Sequence, residues 1–191
     1  MNRKLILALA ATAALAAPLA AQAQTASATV TVNGNVTKAC VIGQPASVSL
    51  SLGDLTGPDG KISASKASAT PSQSTTIANA WCNAPSTMSL DGAPLSLTVS
   101  PGYATPTGFS RLISYTAEIT GWTGTLVDNP TIGDSAKTLA SPNAYAATGD
   151  GLTLNLSSLK TLNAAGTGEA TAAILEAGTY SGVVVISVAT Q

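Results

Sequence analysis

Short runs of alternating apolar and polar residues, separated by glycine, proline and other turn residues, constrain the fold of this chain most. Residues 47–52, 112–122 and 152–156 alternate in this way, and residues 180–189 form a final run rich in Val and Ile. Because successive side chains of a strand point to opposite faces, each run predicts a strand with a buried face. Many short strands of this kind are typical of a β-sandwich. The sequence therefore predicts an all-β fold built as one domain.

Several other segments carry weaker signals. The Asp91-Gly92 pair predicts a hairpin turn that joins residues 88–90 to residues 95–99. Residues 75–82 predict a single strand, and residues 170–177 suit a short helix or a strand equally well. Residues 57–74 and 128–150 are rich in small polar residues, glycine or proline and predict loops.

The chain begins with a pattern typical of an export signal. Arg3 and Lys4 precede a run of mostly Leu and Ala, and Ala21-Gln22-Ala23 has the small-x-small pattern of a cleavage site. The apolar run is short for a membrane-spanning helix, which needs about 20 apolar residues, although an uncleaved anchor is the alternative. We therefore expect residues 1–23 to be a signal peptide and the mature chain to have no membrane span.

Charge and composition exclude several functions. Eight basic residues less Arg3 and Lys4 leave six against nine acidic ones, a net charge of about −3 after signal removal. This balance offers no basic patch for nucleic acid. The chain has no histidine, which is the commonest general base and metal ligand. The acidic pairs 54/59 and 128/134 lack the ligand density of a calcium loop. We expect no enzymatic activity, no cofactor and no metal.

The two cysteines, Cys40 and Cys82, follow the export signal. An even number of cysteines in an oxidising compartment predicts one disulfide, and two buried free thiols are the alternative. A metal site is disfavoured, because two cysteines without histidine cannot complete a tetrahedral shell.

An alternating segment runs directly into Cys40. One face of this strand would carry Ala28, Val30, Val32, Gly34 and Val36. The glycine would allow close approach of another backbone at one position. However, Asn33-Gly34 is also a hairpin signal, so this segment could fold back on its own chain instead.

Both ends of the sequence resemble chaperone–usher pilus subunits. The stretch TVTVNGNVTKACVIGQPASVSLSLGDL is similar to their N-terminal region, where an alternating extension leads to the first cysteine. The second cysteine, in IANAWCN, falls at the position where such subunits place the cysteine that bridges to the first one. The ending EAGTYSGVVVISVATQ resembles their C-terminal strand, most closely in the spore-coat-protein-U-like branch of secreted pilins.

This resemblance implies an incomplete immunoglobulin-like β-sandwich with an N-terminal donor-strand extension and one disulfide. It divides the chain into a signal peptide at 1–23, the extension at 24–38 and a pilin-like domain at 39–191. In such subunits a periplasmic chaperone fills an open groove until the extension of the next subunit replaces it. The acceptor groove and the chaperone-contacting C-terminal strand would include Gly178, Tyr180, Val184, Ile186 and Val188.

The implied function is that of a structural subunit of a surface fibre, assembled by donor-strand exchange and acting in adhesion or biofilm formation. Its partners would be other pilus subunits, a periplasmic chaperone and an outer-membrane usher. The protein would pass through the periplasm to the cell surface. The alternative is a self-complemented exported β-sandwich that acts as an adhesin or surface-coat protein, with a loop such as residues 128–150 contacting a ligand.

Overall fold

The computed structural model describes residues 29–43, 51–98, 104–146 and 151–191. Strands dominate this part of the chain, so the prediction of an all-β fold is confirmed. The only helix among these residues is the single turn α1, Ala64–Ala67. The strands are β1 Cys40–Val41, β2 Gln73–Ile77, β3 Trp81–Cys82, β4 Ser86–Gly92, β5 Leu95–Leu97, β6 Phe109–Ser110, β7 Leu112–Thr120, β8 Leu126–Asp128, β9 Lys137–Ser141, β10 Tyr145–Ala146, β11 Leu152–Thr161, β12 Ile174–Leu175, β13 Tyr180–Ser181 and β14 Val184–Thr190.

Contacts divide the chain into two compact units, residues 1–35 and residues 36–191. All fourteen strands found among the described residues belong to the second unit. Residues 29–35, the described part of the first unit, form no strand.

The larger sheet of the second unit has six strands. Its order is β13-β5-β7-β11-β2, and β8 also pairs with β7. The long strands β7 and β11 are antiparallel neighbours in the middle of this sheet. Their apolar residues alternate with polar ones, which buries one face of the sheet, as the sequence predicts for residues 112–122 and 152–156.

The sheet called the smaller sheet below has three strands in the order β14-β4-β9, while β1-β3-β10 form a separate three-stranded sheet and β12 pairs with β6. Met88 and Leu90 of β4 are fully buried, and they pair in register with Val188 and Ile186 of β14. These residues belong to the same apolar cluster as the buried residues of β7 and β11. The two sheets therefore share one core.

The chain passes between the two sheets at two adjacent places. The Asp91-Gly92 pair lies inside β4 and forms no hairpin turn, because β4 pairs in the smaller sheet and β5 in the larger one. The predicted C-terminal strand is likewise interrupted at Gly182, so that β13 joins the larger sheet and β14 the smaller. The N–H of Ala93 donates to the carbonyl of Val183 over 2.8 Å, which ties the two crossings together. The hairpin prediction is therefore wrong.

Other local predictions have mixed outcomes. Residues 75–82 form two strands, β2 and β3, because Asn79 between them has a positive φ of 57°. The predicted loop at 128–150 contains β9 and β10, whereas residues 57–72 are irregular apart from α1. Residues 170–177 contain β12, which pairs in parallel with β6, and no helix. Most of the strand predicted at 47–52 lies outside the described residues.

Candidate functional site

The disulfide between Cys40 and Cys82 is present, as predicted. It joins β1 to β3 across a registered antiparallel pair with a Cα–Cα distance of 4.1 Å. The cysteines are 42 positions apart, and the chain-entropy model gives a loop of this size about 4 kcal/mol of stabilisation. This bridge holds the start of the second unit to β3.

A groove of about 1190 Å³ opens beside β14 within the second unit. Its volume exceeds the 300–1,000 Å³ that is typical of small-molecule pockets. Side chains of both sheets line it, together with residues of the chain before β2. The apolar lining residues are Ile42, Leu52, Leu55, Ile77, Leu95, Tyr115, Leu154, Leu156, Leu175, Val184 and Ile186. The groove therefore reaches the shared core.

The predicted acceptor residues lie at or beside this groove. Gly178, Tyr180, Val184 and Ile186 line it. Val188 is not a lining residue, but it is half-buried on the same face of β14 and packs against the core. The face predicted to point inward along β14 is thus the less exposed one, whereas Val183 and Val185 are 62% and 52% exposed.

Within the described ranges, strand β14 has an open edge. It is the terminal strand of its sheet and, among the described residues, pairs only with β4. Strand β2, which contributes Thr75 and Ile77 to the groove, is likewise a terminal strand of the larger sheet as far as the described residues extend. An edge strand presents backbone N–H and C=O groups that can pair with a further strand. The groove therefore combines an apolar interior with backbone groups suited to strand addition.

A tight chain segment, residues 176–180, lines the groove. Gly178 has a φ of 152°, and a Cβ at this position would lie 2.4 Å from Cδ1 of Leu97, so only glycine fits without displacement. The hydroxyl of Tyr180 donates to the carbonyls of Glu176 at 2.8 Å and Ser110 at 3.2 Å. Burial of the phenol, aided by the nearby Glu176 carboxylate, raises the pKa of Tyr180 to about 12. Tyr180 is therefore neutral in ordinary buffers.

An ion pair stabilises the same segment. Arg111 forms a forked hydrogen bond with the carboxylate of Glu176, and both side chains are largely buried. The hydrogen bond from Arg111 lowers the pKa of Glu176 below its usual value. The segment that carries Gly178 and Tyr180 is thereby tied to the residue that precedes β7.

The N-terminal segment has the opposite character to the groove. Val30, Val32 and Val36 are 82–88% exposed, and residues 29–39 form no strand. A Cβ on Gly34 would meet nothing within 4 Å. Neither Asn33 nor Gly34 has a positive φ, so this pair does not form the type I′ turn that its sequence favours. Ala28 lies outside the described residues.

Sequence reasoning missed most of the groove. Leu95, Tyr115, Leu154 and Leu156 come from three strands that are distant in the sequence, and their common position depends on strand pairing. Tyr115 also has a raised pKa, chiefly because it is buried, and its hydroxyl donates to the carbonyl of Ala93 at 2.9 Å. The alternation of these strands identifies them as core residues, but no local signal assigns them to a groove.

No helix in the described ranges has the length and apolar character that crossing a membrane requires. Within the same ranges, no three or more Cys, Asp or Glu side chains come together as a potential metal site.

The comparisons with known proteins returned no match. The sequence matches no family model, and neither a curated protein nor a solved structure is significantly similar to it.

Proposed function

We propose that this protein is a structural subunit of a chaperone–usher surface fibre, which polymerises by donating its N-terminal strand to a groove on the next copy. The observation that carries the proposal is the groove beside β14, where half-buried Val184 and Ile186 lie next to an open strand edge. In this proposal the two sheets form an incomplete immunoglobulin-like sandwich, and the incoming strand completes it.

The N-terminal extension has the properties that such a groove requires. Its residues Val30, Val32 and Val36 are exposed and, in an extended strand, would share one face. Residues 24–36 would span about 43 Å when extended, whereas the seven residues of β14 span about 23 Å. The extension is therefore long enough to cover the whole open edge.

The backbone argues for a peptide rather than a small apolar ligand. A lipid or other hydrocarbon would cover the apolar lining but would leave the N–H and C=O groups of the open edge without partners. An added strand satisfies both the side chains and the backbone, which is the basis of recognition by strand addition.

Assembly would then follow the route implied by the sequence resemblance. The chain would be exported to the periplasm, where a chaperone would occupy the groove until an outer-membrane usher passes the subunit to the fibre. The extension of the next subunit would replace the chaperone, and the finished fibre would act in adhesion or biofilm formation at the cell surface.

A peptide-binding experiment tests the proposal. The protein is recovered from the periplasm of an expressing bacterium, and a synthetic peptide of residues 24–38 is added to the monomer. At a peptide concentration near 100 times Kd, we expect a rise in Tm of about 5–10 °C. A control peptide with Val30 and Val32 replaced by Asp should have no effect, because it would bring charges into the apolar groove. A monomer that melts cooperatively at high temperature and ignores the peptide would refute strand donation.

Deletion of residues 24–36 provides the second arm of this test. A donor subunit without its extension should keep its fold, bind the added peptide and no longer form oligomers. A self-complemented domain should instead lose its fold, because the deletion would remove one of its own strands.

A further inference from the structure

The root of the extension, residues 37–39, is held by the side chain of Asn83. The amide Nδ2 of Asn83 donates to the carbonyl of Thr37 at 2.9 Å, and the N–H of Ala39 donates to Oδ1 of Asn83 at 2.7 Å. The backbone N–H of Asn83 also donates to the carbonyl of Ala39 at 3.0 Å. This side chain therefore takes the place of a neighbouring strand and prolongs the β1–β3 pairing past the disulfide.

The same root is tied to the end of β14. The ammonium of Lys38 donates to the main-chain oxygen of Gln191 at 2.7 Å. Gln191 is in turn fixed to the segment around β4, because its N–H donates to the carbonyl of Pro85 at 2.9 Å and its side chain donates to Oγ1 of Thr87 at 2.9 Å. The root thus lies next to Gln191, the residue that directly follows the strand whose edge is open.

We propose that Asn83 and Gln191 form a bracket that fixes the starting point and direction of the extension and so favours its donation to another copy over insertion into its own groove. This inference rests on the proposed function and adds a determinant of where the donated strand goes. The term "root bracket" below means the hydrogen bonds of Asn83 and Gln191 to residues 37–39.

The position of the root disfavours self-insertion relative to donation in the antiparallel direction. Because Lys38 lies at the C-terminal end of β14, an extension that folded back along this strand would have to run parallel to it. Parallel pairing is slightly less stable per residue than antiparallel pairing. A second copy is free of this restriction, since its extension approaches from outside.

The root bracket also limits where the chain can reverse. With residues 37–39 held extended, the reversal would have to occur within residues 33–36. The only strong turn signal there is Asn33-Gly34, and neither residue adopts the positive φ that a type I′ turn demands. Release of the bracket would add three freely jointed residues and make the reversal easier.

The first test measures whether the bracket holds the root. In the Asn83→Ala variant, hydrogen exchange at the amide of Ala39 should become about tenfold faster, which corresponds to the loss of one hydrogen bond. Asn83→Asp keeps an acceptor for this amide but loses the donor to Thr37, so Ala39 should stay protected. Asn143→Ala, at an exposed asparagine before β10, serves as the matched control and should exchange like the wild type. Unchanged exchange at Ala39 in Asn83→Ala would overturn the inference.

The second test measures where the extension goes. A photo-crosslinking benzoylphenylalanine replaces Thr31, whose side chain would point away from the donated face. After irradiation, we expect mainly cross-linked dimers from the wild-type background. The double variant Asn83→Ala/Lys38→Gln should show a several-fold larger share of internally cross-linked monomer, and Asn143→Ala should not.

The outcomes separate this inference from the proposed function. A wild type that gives no intermolecular product and ignores the added peptide would refute strand donation, and with it the role of the bracket in assembly. A wild type that forms dimers, while the double variant partitions in the same way, would refute the bracket alone.

Discussion

Strands β7 and β14 have similar alternating sequences but very different surroundings. In β7, Ile113 and Ile119 are no more than 1% exposed, since this strand has neighbours on both sides and lies in the middle of its sheet. In β14, Val184, Ile186 and Val188 occupy equivalent inward positions but are only half-buried. The contrast shows that alternation decides which face of a strand points inward, whereas the neighbouring strands decide how far that face is buried.

The other edge strands sharpen this contrast. Strand β9, at the opposite edge of the smaller sheet, begins with Lys137, and β2 is polar along most of its length, Gln-Ser-Thr-Thr-Ile. Charged and polar residues at edges are a common protection against unwanted pairing. Strand β14, with the sequence Val-Val-Ile-Ser-Val-Ala-Thr, has neither charge nor proline. Its composition is that of an interior strand, which is what the proposed donation of a further strand to this edge requires.

The largest loss of stability should follow when a buried side chain of the central strand β7 is truncated. Ile119→Ala removes a fully buried side chain between the two sheets and should lower the free energy of unfolding by about 2–5 kcal/mol. Urea denaturation of the full protein measures this change. Val127→Ala, at a half-exposed residue of the neighbouring strand β8, is the control and should cost well under half as much. Equal costs would mean that β7 is not the interior strand that its burial indicates.

Truncating a side chain of the open-edged strand β14 should lower stability less, and the loss should depend on the added peptide. Ile186→Ala should lower the stability of the isolated monomer by only about 1 kcal/mol, because its side chain is half-buried. In the presence of the peptide of residues 24–38, the cost should rise, since the donated strand would bury the same side chain. Titration of the peptide against thermal melting measures both quantities.

The control for this prediction lies one residue away. Val185→Ala changes the outward face of the same strand and should alter neither monomer stability nor peptide affinity appreciably. If the cost of Ile186→Ala is the same with and without peptide, the groove beside β14 is not where the peptide binds.

Local sequence pattern sufficed for the long strands β7 and β11, and the even number of cysteines sufficed for the disulfide, but neither assigned strands to sheets. The alternation at 112–122 and 152–156 predicts β7 and β11 correctly, because period-two burial is a local property. The Asp91-Gly92 pair gives a wrong hairpin prediction, because contacts with residues distant in the sequence determine its conformation. The N–H of Gly92 donates to Oδ2 of buried Asp128 at 2.8 Å, and a Cβ on Gly92 would lie 2.4 Å from Cγ of Pro130. A partner 36 positions away thus outweighs the turn preference of the pair.

The groove shows the same limitation. The resemblance pointed to Gly178, Tyr180, Val184 and Ile186, and the structure places these four residues along one groove. The opposite lining comes from strands whose proximity depends on sheet order, which no single segment encodes. The interruption at Gly182 also escapes local reasoning, because a Cβ there would lie about 3 Å from the carbonyls of Ala93 and Pro94. Close approach of a distant backbone, rather than local preference, explains that glycine.

The smallest change in stability should come from removing the ion pair between Arg111 and Glu176, a residue that lines the groove. Hydrogen bonding to Arg111 holds the pKa of Glu176 below its ordinary value of 4.5, so the charged carboxylate favours the folded state. This contribution is fully present above pH 4.5 and is lost as the pH falls through the lowered pKa of the folded state. Wild type should therefore be more stable than Glu176→Gln at pH 7, and the two should converge at low pH in urea denaturation. Glu169→Gln breaks an ion pair with Lys160 in which both side chains are about half-exposed, and solvent screening should make its effect smaller still. If the difference in unfolding free energy between wild type and Glu176→Gln persists in acid, the contribution of Glu176 comes from packing. The segment at 176–180 would then be stabilised as β7 is, by buried contacts instead of charge.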